Sequence, residues 1–198
     1  MHRSSLDKMQ AFRDKYLQGR RKEPLNIIDV GSLDVSGSNY RGYFDISPWT
    51  YRGADMSAGE NVDIVLHDPY NWREVRSGST DVVISGQAFE HIEYFWLTML
   101  EIARVLKPGG LCCLIAPSSG PEHRYPVDCW RFYRDGFAAL ARFAALDVLE
   151  IYSQSGPTGY DDGSDMWQDM ALVCRKPAST GLRSLKRRCT HYLLRRLL

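Results

Sequence analysis

The sequence lacks the features that mark several large classes of protein. It has no run of about 18 apolar residues and no apolar core in its charged N-terminal segment, so neither a membrane-spanning helix nor a secretion signal is predicted. Its five cysteines form no CxxC pair, which disfavours zinc ribbons and disulfide frameworks and favours a reducing cytoplasm. Neither GxGxxG nor the P-loop pattern occurs, so a standard dinucleotide site and phosphoryl transfer are not supported.

Composition and charge indicate one folded unit with a basic end. The 198 residues are 44% hydrophobic and 25% charged, as in ordinary globular domains. The formal net charge is only +1, yet the segment from Arg183 onward carries six basic residues and no acid. The remainder is therefore net acidic, which disfavours nucleic acid as a partner.

Three regions are predicted. Residues 1–24 contain a helix with apolar residues at helical spacing, residues 25–176 form the main domain, and residues 177–198 form a basic amphipathic tail. The tail could lie on an anionic membrane surface or pack on a partner subunit, so peripheral membrane contact and a homo-oligomer both stay open. The polar loop at 155–165 could cover an acceptor site or be an ordinary solvated loop.

Apolar runs alternate with helical patterns along the main domain. Because this alternation is typical of βαβ units, the sequence predicts an α/β fold with a mainly parallel sheet covered on both faces. The predicted strands are 25–32, 51–56, 62–66, 79–86, 111–117, 146–153 and 170–174, and the predicted helices are 94–106 and 135–143.

The loops that follow these strands are the candidate ligand site, since ligands of such sheets bind beyond the carboxyl ends of the strands. Gly31 and Gly37 suit a tight turn after the first strand. Asp55 ends the second strand, where a carboxylate can accept hydrogen bonds from both ribose hydroxyls, although a solvated turn residue is the alternative. Asp68, after the third strand, could accept from an adenine amine or form a turn.

The succession IIDVGSLDVSGS, YRGADMSAGENVDIVLHDP and DVVISGQAFEHIEYFWLTMLEIARVLKPGGLCCLIAP resembles class I, S-adenosylmethionine-dependent methyltransferases. The nearest likeness is to a bacterial subgroup, found among sugar and glycan biosynthesis enzymes, that has a VGS-x-D-x-x-GS loop. The resemblance implies a Rossmann-like sheet of seven strands, the last one antiparallel. It also implies S-adenosylmethionine as cofactor, S-adenosylhomocysteine as product, and a cofactor site made of Asp29, Gly31, Ser32, Gly37, Asp55, Met56, Asp68, Ser85 and Gly86.

The segment PEHRYPVDCWRFY after the fifth strand resembles the HxxPxDxWRF segment of the same subgroup. His123 is the candidate general base, because a hydroxyl acceptor benefits from a base with a pKa near neutrality, and Asp128 would orient it or act itself. Alternatively, Asp128 and Arg131 form an ion pair that caps the next helix, while Trp130 and Phe132 lie in the core.

Other residues complete the predicted acceptor side. The acceptor-binding residues are predicted to be His91, Arg124, Trp130 and Arg131. His91 is a rival base, or the N-terminal cap of the helix that follows it. No metal ion is predicted, although Glu90, His123 and Asp128 could converge.

The cysteines are predicted to be unreactive. Cys129 is expected to be a small buried hydrophobe, and Cys112 and Cys113 to be inert in a buried strand.

The function that these features favour is methyl transfer to a small polar acceptor, with a sugar or glycan-precursor hydroxyl preferred. A different acceptor (an amine, a carboxylate or a phosphorus-linked oxygen) and a catalytically silent, cofactor-binding partner subunit stay open. A nucleic-acid methyltransferase is disfavoured because SGQA stands after the fourth strand, where an NPPY-type loop would hold a flipped base.

Overall fold

One seven-stranded sheet organises the chain, whose computed structural model describes residues 2–153, 159–178, 189–190 and 192–194. Its strand order is β3-β2-β1-β4-β5-β7-β6, and β7 runs antiparallel to both β5 and β6 while the other neighbours are parallel. This confirms the predicted fold class. The strands are β1 (Asn26–Val30), β2 (Thr50–Asp55), β3 (Ile64–Val65), β4 (Thr80–Gly86), β5 (Leu106–Ala116), β6 (Asp147–Ser153) and β7 (Met170–Arg175).

Helices cover both faces of the sheet, as predicted. The helices are α1 (Arg3–Leu17), α2 (Arg41–Phe44), α3 (Phe95–Val105) and α4 (Arg134–Phe143). Side chains of a strand alternate between faces, so Val83 of β4 packs with α3 and α4 whereas Val82 and Ile84 pack with α1 and α2. Because both faces are covered, all seven residues of β4 are buried, which explains why the apolar residues Val82, Val83 and Ile84 are adjacent and do not alternate with polar ones.

The predicted start of the fifth strand was wrong. The sequence predicted a helix at 94–106 and a strand only from residue 111, which left KPGG (107–110) between them, but α3 ends at Val105 and β5 begins at the next residue. Thr80 pairs with Leu106 and Val82 already pairs with Leu111, so the extra residues bulge out of the ladder. The bulge is held by Gly109 N–H donating to the Lys176 carbonyl at 2.9 Å. Gly109 has a φ of +80°, which suits this position to glycine.

The N-terminal helix is part of the core. Met9 and Phe12 are buried against the sheet, and the Ser5 hydroxyl lies 2.6 Å from the Tyr40 hydroxyl. Ser4 donates to the buried carboxylate of Asp169. The proposed domain boundaries themselves stay predictions, and most of the tail, together with 154–158 of the possible covering loop, lies outside the described residues.

Among the described residues, no helix is both long enough and apolar enough to cross a membrane.

An ion pair between a buried glutamate and a half-buried arginine positions the segment between β3 and β4. Glu101 on α3 is fully buried and accepts the Trp72 backbone N–H at 2.7 Å, while Arg104 pairs with the same carboxylate at 2.6 Å. Arg104 also donates to the backbone oxygens of Trp72 and Val75 at 2.7 and 2.9 Å. The pair therefore holds this irregular segment against α3.

Replacing Glu101 with alanine is expected to lower the free energy of unfolding by about 3 kcal/mol, because it removes the carboxylate that pairs with Arg104 and leaves the Trp72 N–H without an acceptor. Urea unfolding measures the loss. The matched control is Glu23→Ala, which removes the exposed Arg20–Glu23 pair of the same i,i+3 spacing and should cost less than about 1 kcal/mol. Equal losses in the two variants would show that Glu101 does not hold the segment.

Candidate functional site

A cavity of about 710 Å³ opens at the carboxyl edge of the sheet. The lining residues come from the loops that follow β1, β2, β3 and β4 and from the segment after β5, together with His2 and Trp167. This is where the order of parallel strands places ligands in open α/β sheets, and the volume is within the range of small-molecule sites. The lining includes six predicted site residues, namely Gly31, Asp55, Met56, His91, His123 and Arg124.

Gly31 permits a close approach of two loops in the cavity wall. Its φ is +76°, and its N–H donates to the Ala54 carbonyl at 2.9 Å. A Cβ placed on Gly31 would lie 2.3 Å from the Cβ of Ala88, in the loop after β4. Only glycine meets both requirements without displacing a loop.

Asp55 ends β2 and lines the cavity. Its two carboxylate oxygens accept backbone N–H groups from Leu33 and Ser57, each at 3.1 Å. An ionised carboxylate has about four acceptor positions, so each oxygen can still accept a hydroxyl. The carboxylate thus fixes the loop after β1 and still has hydrogen-bond acceptor positions for a ligand.

Three predicted cofactor residues lie beneath the cavity wall. Asp29 is buried and accepts the Tyr51 hydroxyl at 2.6 Å, and burial raises the pKa of Asp29 to about 7. Ser85 donates to the Val30 carbonyl at 2.7 Å, and Ser32 donates to the Asn61 carbonyl at 3.1 Å. These side chains brace the strand ends and do not line the cavity.

Three further predicted residues have structural roles in the loops and strand ends. Gly37, with a φ of +74°, donates its N–H to Asp34 at 2.7 Å, and that carboxylate organises the turn. Asp68 accepts the Tyr70 N–H at 2.8 Å, as its turn alternative required. Gly86 makes room for Tyr40, whose hydroxyl would lie 1.8 Å from a Cβ there.

His91 and His123 meet at the other end of the cavity, with ring centroids 4.9 Å apart. His91 donates Nδ1–H to the Val127 carbonyl at 2.5 Å, which leaves the lone pair on Nε2. Burial lowers the pKa of His91, which favours the neutral ring. The expected capping role was wrong, because α3 begins after Tyr94 and has no side-chain cap.

Asp128 connects His123 to Arg131. It accepts the His123 backbone N–H at 2.7 Å, and its Oδ2 lies 3.2 Å from His123 Nδ1. Arg131 binds the carboxylate through two bonds of 2.6 and 2.8 Å and holds the Asp128 pKa well below its usual range. The ion pair therefore exists, but it does not cap α4, which starts after Tyr133 without a side-chain cap.

Of the two residues of this segment that were expected in the core, one is buried and the other is not. Phe132 is buried as expected, but Trp130 is 39% exposed and donates Nε1–H to the Glu93 carbonyl, so it is not a core residue. Arg124 lines the cavity and pairs with Glu122 at 2.9 Å.

The prediction for Cys129 is wrong, whereas Cys112 and Cys113 are buried as predicted. Cys129 is exposed, so the expectation of a buried side chain was wrong. Cys112 and Cys113 are buried, and burial raises the pKa of both thiols, as an inert role requires.

Several lining residues escaped the sequence analysis. His2 reaches the cavity from the N-terminus, contacts Gln87 Oε1 at 3.1 Å and stacks on Trp167 at 6.0 Å. Nothing local in the sequence signals this contact, because His2 and Trp167 precede and follow the rest of the site. The apolar wall of Leu66, Pro69 and Trp72 was also missed, although Leu66 ends the strand predicted at 62–66 and the other two follow it closely.

Replacing Gly31 with alanine is expected to lower the free energy of unfolding by about 2 kcal/mol more than replacing Gly37, as measured by urea unfolding. Both positions have a positive φ, but a Cβ at Gly37 would meet nothing within 4 Å. The difference between Gly31→Ala and Gly37→Ala thus isolates the contact with Ala88. Equal destabilisation would contradict the close approach of the two loops.

Comparisons with known proteins find a family match and similar folds. Residues 36–114 match the family model described as a methyltransferase domain. A search of curated protein sequences finds no significant match.

Solved structures share the fold at low sequence identity. A S-adenosylmethionine-dependent methyltransferase from Methanosarcina mazei has a TM-score of 0.62 and 13% identity over 85% of this chain and 98% of that one. Burkholderia thailandensis 1,6-didemethyltoxoflavin-N1-methyltransferase, with bound S-adenosylhomocysteine, has a TM-score of 0.61 and 16% identity over 88% and 84%.

A chain in the complex of the Haloferax volcanii Trm112 methyltransferase activator with a methyltransferase has a TM-score of 0.57 and 21% identity over 89% and 100%. The solved structures thus share the fold of this chain, and residues 36–114 match a methyltransferase domain, a family in which S-adenosylmethionine is the expected cofactor.

Proposed function

We propose that this protein transfers the methyl group of S-adenosylmethionine to a small polar acceptor, preferably the hydroxyl of a sugar or glycan precursor. The observation that carries the proposal is that one cavity joins the two halves of such a site. Asp55 and Gly31 lie in one half, and His91, His123 and Arg124 lie in the other.

The first half has the chemistry that the cofactor needs. Asp55 offers free acceptor positions for ribose hydroxyls, and Leu66, Pro69 and Trp72 form an apolar wall suited to a flat base. The bound cofactor supplies a methyl group on a positively charged sulfur, which is a reactive electrophile. The protein therefore has to align an acceptor and remove a proton.

The second half offers groups for both tasks. As the acceptor oxygen forms its bond to the methyl carbon and the carbon–sulfur bond breaks, the hydroxyl proton must leave. His123 is the proposed base, since Asp128 holds its backbone N–H and lies beside Nδ1. Tyr125 and Trp167 also line this half, and flat aromatic rings of this kind pack against sugar rings.

Sugar preference is a matter of acceptor chemistry, which the fold does not determine. The [4+2]-cyclase SpnF has the same fold, with a TM-score of 0.64 and 15% identity over 87% of this chain and 81% of that one. The proposal therefore depends on the cavity and its side chains, and an acceptor screen is the appropriate test.

The screen measures transfer of labelled methyl from S-adenosylmethionine to simple glycosides, nucleotide sugars, amines and carboxylates. We expect transfer to a hydroxyl of a sugar compound, and a fall of about 100-fold or more in kcat for His123→Gln with unchanged binding of S-adenosylhomocysteine. His67→Gln is the matched control, because His67 is exposed, pairs with Glu74 and lies outside the cavity.

Each part of the proposal has its own contrary result. Preferred transfer to an amine or a carboxylate would contradict the sugar hydroxyl. Cofactor binding without transfer to any acceptor would favour a silent binding subunit. Full turnover by His123→Gln would contradict the proposed base.

A further inference from the structure

Three of the five buried side-chain nitrogen and oxygen atoms that lack a hydrogen-bond partner in the described part of the chain belong to Glu90 and His123. They are both carboxylate oxygens of Glu90 and Nδ1 of His123, which lies 3.2 Å from Asp128 Oδ2 without the geometry of a hydrogen bond. Glu90 is completely buried. Burying such groups without a partner costs free energy, so a cluster of them indicates a position built for a ligand.

His91 completes a set of three donors. Glu90 and His91 are neighbours in a short 3-10 helix after β4, and His123 comes from the segment after β5. One donor atom from each residue lies within 4.8 Å of the others, and His91 Nε2 lies 3.6 Å from Glu90 Oε1. Two parts of the chain thus bring one carboxylate and two imidazoles together at the cavity wall.

The hydrogen bonds around the cluster orient the donors. Because His91 donates Nδ1–H to the Val127 carbonyl, its Nε2 lone pair is available beside Glu90. Histidines that bind metals usually donate their other ring N–H to a backbone carbonyl or carboxylate in this way. On the other side, Asp128 holds the backbone of His123 and is itself held by Arg131.

We propose that Glu90, His91 and His123 bind a divalent transition-metal ion, with Zn²⁺ as the representative case. Two imidazoles and one carboxylate favour zinc, iron or nickel over magnesium and calcium, which prefer oxygen donors throughout. Both histidines line the cavity, so the ion would keep an open coordination position facing the acceptor.

Binding requires a modest contraction of the cluster. Donors around a tetrahedral Zn²⁺ at about 2.1 Å lie about 3.4 Å apart, so no pair of donors has to close by more than about 1.4 Å. The His123 side chain is 37% exposed and can make this movement, whereas Glu90 is fixed by burial. The positive charge of the ion would compensate the Glu90 carboxylate for the loss of hydration that burial causes.

This inference goes beyond the proposed methyl transfer, because ion binding can be measured without any acceptor. With the ion bound, His123 would be a ligand instead of a base. Coordination of the acceptor oxygen would then lower the pKa of its hydroxyl, which is the usual effect of such ions on bound water.

The experiment uses the full-length, tag-free and metal-stripped protein. Calorimetry with Zn²⁺ and absorption spectroscopy with Co²⁺ measure affinity and stoichiometry. We expect one ion per chain, and at least a tenfold loss of affinity in Glu90→Gln and in His123→Gln. His67→Gln, which alters an exposed His–Glu pair, should bind like wild type.

Two results would overturn the inference: a folded wild type that binds neither ion, or a Glu90→Gln variant that binds as tightly as wild type. Binding of S-adenosylhomocysteine to the metal-free protein is measured in parallel. Cofactor binding without metal binding overturns the metal site and leaves the proposed function standing, whereas the opposite result overturns only the proposed function.

Discussion

The parallel alignment of β2, β1, β4 and β5 is the constraint on which the site depends. These strands share a direction, so the loops that follow them meet at one edge of the sheet. The alignment is stabilised by burial on both faces, where α3 and α4 cover one side and α1 and α2 the other. Helix packing on both faces therefore creates an edge at which distant loops form a single cavity.

Polar side chains beneath this edge of the sheet fix the positions of the loops that line the cavity. Asp29, Ser32 and Ser85 each form a hydrogen bond that joins neighbouring strand ends or their loops. Asp34 and Asp55 fix the loop after β1 through backbone N–H groups. The loops that line the cavity are thus held by side chains that do not line it. The cavity is preorganised in this way, and several polar groups have to be buried for it.

The sheet was predictable because buried strands are short apolar runs bounded by glycine, proline and acidic residues. Asp55 was predictable for the same reason, since its position at a strand end follows from the pattern. Ser85 and Asp29 occupy similar positions but point beneath the wall, because one residue of register reverses the face of a strand. His2 and Trp167 depend on packing between the two ends of the fold, which no local pattern records.

Calorimetric titration of S-adenosylhomocysteine into the purified protein tests the central claim, which is that this edge of the sheet binds the cofactor through Asp55. We expect one molecule to bind per chain with a Kd on the order of micromolar, and Asp55→Ala to lose at least about 1.4 kcal/mol of binding free energy. Asp45→Ala, which removes an exposed partner of Arg41, should bind like wild type. No binding by the folded wild type, or undiminished binding by Asp55→Ala, would contradict the claim.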